Sequence, residues 1–239
     1  MPQPNSGGVQ AEGLGAPDAS TQPSEPESSG FAFDVTATTY VPLSIGAQLS
    51  LEVPGRILLQ GDLGWMPPGY GGALNGLVRA FGGYDPSLGS LVDGALSGAF
   101  VARLSAGWRP FPSAGFEITG GYTYVGLSGS VAPADVAGAL GGQVAAAYAL
   151  QPFQEPIELS SHLHNFHVVL GWRWVAFEHL LIRANIGYTQ TLASSSSVNI
   201  PGHADLAAMA NPIVDSTLSS IYKSYVKLPL LGVSLGYRF

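Results

Sequence analysis

The strongest constraint on this chain is a two-residue alternation of bulky apolar with small or polar side chains, recurring in eight stretches of about ten residues. They are residues 31–40, 44–53, 56–66, 99–109, 116–127, 165–176, 181–191 and 228–239. That period marks a strand with one apolar face, and about 9–11 residues is what a tilted strand needs to cross a bilayer. Composition points the same way. Hydrophobic residues make up 46% of the 239 and charged residues 10%, against about 25% charged in ordinary soluble domains. No run approaches the ~18 consecutive apolar residues of a spanning helix; the longest runs from Val144 to Leu150.

Bulky apolar residues alone set the phase of each stretch. One face then carries, among others, Phe33, Leu49, Leu59, Leu104, Ile118, Leu170, Trp172, Ile186 and Leu235. The nine charged residues Asp34, Glu52, Asp62, Arg103, Arg109, Glu117, Arg173, Arg183 and Arg238 all fall on the other. Random assignment would sort them so about once in five hundred. The physical cause is the cost of a charge facing lipid at mid-depth, about 2–4 kcal/mol. Lys227 has outward parity but lies at a strand end, where that cost falls toward zero.

The connections sort as well. Short links join the second stretch to the third (54–55), the fourth to the fifth (110–115) and the sixth to the seventh (177–180), while 67–98, 128–164 and 192–227 are long. The first turn, 40–43, is short. Long loops on one side and tight turns on the other close the parity at eight strands with both ends periplasmic. In that orientation Trp65, Phe100, Tyr124, Phe166 and Tyr188 gather near the outer rim. Phe31, Phe33, Trp108, Phe116, Trp172, Trp174, Tyr237 and Phe239 gather near the periplasmic rim. Two such girdles are expected where rings lie at both headgroup levels. A soluble barrel or sandwich would instead carry an outer face rich in Lys and Glu. The expected fold is therefore all-β: an eight-stranded antiparallel transmembrane β-barrel over residues 31–239, with partly helical extracellular loops. It follows a flexible acidic periplasmic tail over 1–30, rich in Pro, Gly, Ser and Glu.

The ending Leu231-Gly-Val-Ser-Leu-Gly-Tyr-Arg-Phe239 resembles the C-terminal strand of bacterial outer-membrane proteins, with alternating apolar residues, an aromatic third from the end and a terminal Phe. The resemblance implies recognition by the barrel-assembly machinery through Tyr237 and Phe239. In size the barrel is similar to the small OmpA, OmpX and OmpW class. This implies a cell-outer-membrane location, with the export signal removed, and outer-membrane lipid and lipopolysaccharide as surroundings.

In the loops, Leu74, Leu77, Val78 and Phe81 follow helical spacing, as do Leu88, Leu91, Val92 and Leu96. Residues 135–150 and 205–225 also read as amphipathic helices, the latter through Leu206, Met209, Ile213, Ile221 and Tyr225. An apolar vestibule for a small hydrophobic solute is one use of such segments; mutual packing is the plainer one.

Chemistry offers less. His162 and His164 share a face near the outer rim and His167 points inward, a set short of the three or four ligands zinc wants. His203, Asp205 and the serine run 194–197 share a loop without the spacing of a nucleophile and an oriented base, and the serines read as a flexible strand exit. No enzyme activity and no cofactor are expected. There is no cysteine to build a disulfide or thiolate site, and a net charge of −7 argues against nucleic acid. Two functions remain. One is a narrow passive channel or conduit for small solutes, hydrophobic ones included. It is favoured by the room that inward Gly46, Thr119, Gly121, Thr123, Gly187, Gly232 and Gly236 would leave. The other is a non-conducting envelope scaffold or surface-interaction protein, favoured by four acids and five arginines pairing inside a tube that side chains can fill.

Overall fold

The computed structural model describes residues 30–67, 98–131 and 156–239. Eight antiparallel strands pair in chain order and close into a barrel. They are β1 (Ala32–Val41), β2 (Ser44–Val53), β3 (Ile57–Trp65), β4 (Gly98–Phe111), β5 (Phe116–Val131), β6 (Ile157–Ala176), β7 (Leu180–Asn199) and β8 (Lys227–Arg238). The ring is sealed by β1 against β8, with Asp34 opposite Arg238 and Val41 opposite Leu231. The expected tail over 1–30 and the helical readings within 74–96 and 135–150 lie outside the described residues, apart from Gly30.

The alternation predicted from sequence is the alternation observed. Leu49, Leu59, Leu104, Ile118, Leu170, Ile186, Leu231 and Leu235 are exposed on the outside, whereas Asp34, Glu52, Asp62, Arg103, Arg109, Glu117, Arg173 and Arg183 are buried inside. At the end carrying the tight turns, outward rings meet across strands, Phe33 with Phe239 at 5.9 Å and Phe116 with Trp172 at 5.3 Å between centroids, and along the C-terminal segment Tyr237 meets Phe239 at 4.8 Å. At the opposite, loop end, Trp65 pairs with Phe100. Such an inside-out distribution is stable only where the surroundings are apolar, so the fold is that of a membrane-spanning barrel.

The tight turns follow local chemistry. Gly55 and Arg56, and Phe177 and Glu178, take positive φ to turn the chain between Val53 and Ile57 and between Ala176 and Leu180. Elsewhere glycine answers to curvature, which corrects the expectation that inward glycines leave room. A Cβ at Gly46 would strike the carbonyl of Leu63, one at Gly121 that of Leu104, and one at Gly236 that of Val35. The strands bend too closely there for any side chain. Gly232 is covered by the Tyr40 ring, 2.7 Å from where its Cβ would be.

Three strands are longer than their sequence pattern suggested. β5, β6 and β7 extend past the loop-end girdle, so 157–164 and 192–199 are strand rather than loop, and Ser194–Ser197 are not a flexible exit. A bulge at Leu192, between Ala193 opposite His164 and Thr191 opposite Asn165, shifts the phase of β7. The extension of β7 beyond Gln190 has no strand partner on its β8 side among the described residues. A helix, α1 (Ala204–Tyr225), occupies that side.

Candidate functional site

The barrel encloses a lumen, and its contents are stacked in three levels. At the turn end the sequence-predicted charges converge. Arg173 on β6 reaches across the tube to Asp34 on β1 at 3.2 Å and Glu52 on β2 at 2.7 Å, with both guanidinium and Asp34 carboxylate inaccessible to solvent. Arg109 on β4 also grips Glu52, with Nη1 donating at 2.7 Å and 3.0 Å. Arg238 lies 3.7 Å from the same carboxylate. Arg183 on β7 pairs with Glu117 at 3.0 Å and Asp34 at 3.5 Å, and donates to Gln48 Oε1 at 2.5 Å and Ser50 Oγ at 3.2 Å. These pairs tie non-adjacent strands together, and Arg173 with Glu52 joins opposite walls. Their burial is tolerable because each charge has a partner of opposite sign.

The middle level is polar with one further ion pair. Arg103 lies 3.8 Å from Asp62, and its guanidinium sits 4.0 Å above the Tyr40 ring. Gln48 Nε2 donates to Asp62 at 3.2 Å. Arg103 Nε donates to Thr123 Oγ1 at 3.3 Å, Thr123 meets His167 Nδ1 at 2.8 Å, and His167 Nε2 meets Ser105 Oγ at 2.9 Å. Since the guanidinium can only donate, a neutral His167 protonated on Nε2 satisfies the whole relay. The nine predicted charges are thus all in the lumen, seven in the turn-end network and Asp62 with Arg103 above it. Sequence reasoning missed the uncharged members Gln48, Ser50, Ser105 and Asn185, although inward parity alone marks each of them.

The loop-end level is apolar. Leu43, Met66, Val101, Val125, Leu163 and Leu230 project inward and join Ala207, Ala210, Val214, Leu218 and Tyr222 of α1 in one buried cluster. The spacing of those helix residues, three then four, makes one face. The expected face was another. Met209 is 73% and Ile213 41% exposed, while Leu206 and Ile221 are only partly buried against the cluster. Alanine, too small to signal a core position, lets α1 approach closely.

Side chains of α1 also close the free edge of β7. Asp215 Oδ1 accepts from Ser196 N at 2.8 Å and Asn211 Oδ1 from Val198 N at 2.7 Å. Val226 just beyond the helix accepts from Thr191 N at 3.1 Å. An edge strand is thereby satisfied without another strand. Tyr222 Oη donates to Ser161 Oγ at 3.2 Å, and burial holds this phenol above its usual titration range.

The other candidates stay apart. His162 and His164 face outward on β6, where Nδ1 of each meets a tyrosine hydroxyl, Tyr124 at 2.6 Å and Tyr122 at 2.5 Å. No group of three or more His, Asp or Glu among the described residues is arranged to hold a metal ion. His203 precedes α1, and Asp205 lies in its first turn. The serine run lies along β7, its hydroxyls engaged at Ser194 with Ser219 and at Ser196 with Ser161. The C-terminal aromatics Tyr237 and Phe239 are outward at the turn-end rim.

No protein-family model and no curated protein matches the chain. Among solved structures it is similar to the N-terminal β-barrel domain of Pseudomonas aeruginosa OprF, at 7% identity over 88% of this chain and 98% of that one, with a TM-score of 0.43. It is also similar to CarO of Acinetobacter baumannii, at 11% identity over 87% and 97%, TM-score 0.38. A third likeness is to a major outer membrane protein from Thermus thermophilus, at 14% identity over 87% and 98%, TM-score 0.43. Overlap of this order adds nothing to the strand pairing and inside-out packing described above, on which the assignment as a transmembrane β-barrel stands.

Proposed function

We propose that the chain is an integral outer-membrane protein whose lumen is closed to ions and whose loop-end wall, braced by α1, is its working surface. The observation that carries this reading is Arg173, whose fully buried guanidinium joins Asp34 and Glu52 from the opposite wall. An ion passing that level would have to separate charges that have no water to fall back on, at a cost of several kcal/mol. The apolar cluster under α1 is a second barrier, unfavourable to hydrated solutes for a different reason. Scaffold or surface interaction therefore fits the geometry better than conduction.

Refolded protein in planar bilayers, bathed in concentrated potassium chloride, is expected to remain silent; steady conductance steps would reject the closed lumen. Assembly provides a separate check. The outward, rim-level placement of Tyr237 and Phe239 supports their use as a recognition signal by the barrel-assembly machinery. Phe239→Asp should lower the amount of folded barrel recovered from outer membranes, with little effect on refolding from urea into vesicles. An equal loss in both would assign Phe239 to barrel stability instead.

A further inference from the structure

The barrel wall is not level at its loop end. β5, β6 and β7 run for 16, 20 and 20 residues, whereas β1, β2 and β3 run for 10, 10 and 9. The extra length begins where outward chemistry changes. Up to Phe166 and Tyr188 the outward residues of β6 and β7 are mostly large and apolar, Trp172, Leu170, Val168, Ile182 and Ile186. Beyond the girdle β6 turns His164, His162, Ser160 and Glu158 to the outside. Past Leu192 and Ala193, β7 presents Ser195, Ser197 and Asn199, all exposed. β5 contributes Ser128 and Ser130.

The height of this overhang decides what it meets. From His164 to Glu158, at about 3.3 Å per residue and a tilt near 40°, it rises ~15 Å along the membrane normal. A phospholipid headgroup layer is only about 5–8 Å thick on each side. Most of the overhang stands beyond it. A sheet face made for open water would be about 25–35% charged; here, among the described residues, Glu158 is the one ionic residue, its Oε2 accepting from Asn199 at 2.9 Å. Among the described residues the outward faces of these three extensions carry no Lys or Arg; an outward cation, Lys227, stands only at their foot, opposite Gln190 of β7. What it offers is a field of hydroxyls and two tyrosine–imidazole pairs. With each tyrosine donating to Nδ1, His162 and His164 both keep Nε2–H as a donor, and Tyr124 stacks on His162 with centroids 6.0 Å apart. Rings already held in place lose little freedom on binding. Uncharged, hydroxyl-rich surfaces with fixed rings complement a polyhydroxyl partner.

We propose that the outward face of the β5–β6–β7 overhang docks the saccharide portion of a glycolipid in the outer leaflet. The inference rests on the outer-membrane reading above, which places this overhang on the outer side. The full chain would be refolded into phosphatidylcholine vesicles, with its heat-sensitive compact migration on gels checked first. Retention would then be measured for lipid A alone and for lipopolysaccharide carrying core sugars, with free core oligosaccharide as competitor. Core-bearing lipid should be retained at least about tenfold more tightly than lipid A, and free core oligosaccharide should compete. The double change Ser195→Glu with Ser197→Glu should remove that preference while leaving lipid A retention unchanged. Should the added charges hinder folding, His162→Gln, which keeps bulk and polarity but loses the ring, should cut the preference severalfold. Equal retention of the two lipids, or an unchanged preference in a folded variant, would overturn the proposal. A chain that never inserts would instead overturn the membrane reading beneath it.

Discussion

The two ends of the lumen are closed in opposite ways. At the turn end, Asp34, Glu52 and Glu117 are shared among Arg109, Arg173, Arg183 and Arg238, and closure is electrostatic and directional. At the loop end, strand residues such as Val125 and Leu163 share one buried cluster with Leu218 and Val214 of α1, and closure is apolar and non-directional. The difference follows from where each end gets its material. The turn-end strands supply all their own inward side chains, so charges placed there can be matched at fixed register. At the loop end the wall is uneven, and among the described residues an added helix covers the inner face and the free edge of β7. An ionic layer fails abruptly when one partner is lost, whereas an apolar layer degrades in proportion to the volume removed.

Four substitutions separate these behaviours. Arg173→Met leaves Asp34 and Glu52 short of a partner and should cost about 3–5 kcal/mol in denaturant unfolding from vesicles. It should also produce an ion leak; a loss below about 1 kcal/mol would mean the network is not structural. Leu218→Ala, in the apolar layer, should cost about 2–3 kcal/mol. Hydrogen exchange should assign that loss to α1 and the end of β7 while the membrane strands keep their protection. Uniform loss through the barrel would make the two closures one cooperative unit. Asp215→Ala strips the cap from Ser196 N–H and should cost about 1 kcal/mol, read as faster exchange of that amide. The smallest effect is expected of Tyr222→Phe, about 1 kcal/mol or less at neutral pH through the lost bond to Ser161. Burial raises the Tyr222 titration in the folded chain. The stability this group contributes is therefore present below the ordinary tyrosine range and lost as pH rises through the folded value. Docking of α1 should weaken in strong alkali in the parent, and Tyr222→Phe should blunt that response.

The sequence disclosed the phase of every membrane strand because lipid punishes an outward charge, and each strand carries bulky residues to set the parity. Arg173 sits between Trp172 and Trp174, and Arg183 follows Ile182 on a strand whose phase Ile186 and Tyr188 also fix, so both could be placed inward by inspection. The overhang was illegible for the opposite reason. Ser194 to Ser197 carry no bulk to reveal a period, and the bulge at Leu192 breaks what period remains. The helix was visible over 205–225, but its face was not, since Ala207 and Ala210 bury well yet weigh little in any hydrophobic pattern. Inward glycines misled because a missing side chain reads as room, whereas at Gly46 and Gly121 the neighbouring strand occupies it.

The orientation of the wall itself is open to direct measurement, because the four tryptophans of the chain are at 65, 108, 172 and 174 and all face outward, Trp174 at 51% exposure. In vesicles containing brominated lipids, their fluorescence should be strongly quenched while aqueous iodide has little effect. Trp65, isolated in a variant with the others changed to Phe, should respond from the leaflet opposite to Trp172. Efficient quenching by iodide with no response to brominated lipid would put these rings in water or in a protein core, and would contradict the membrane-spanning barrel.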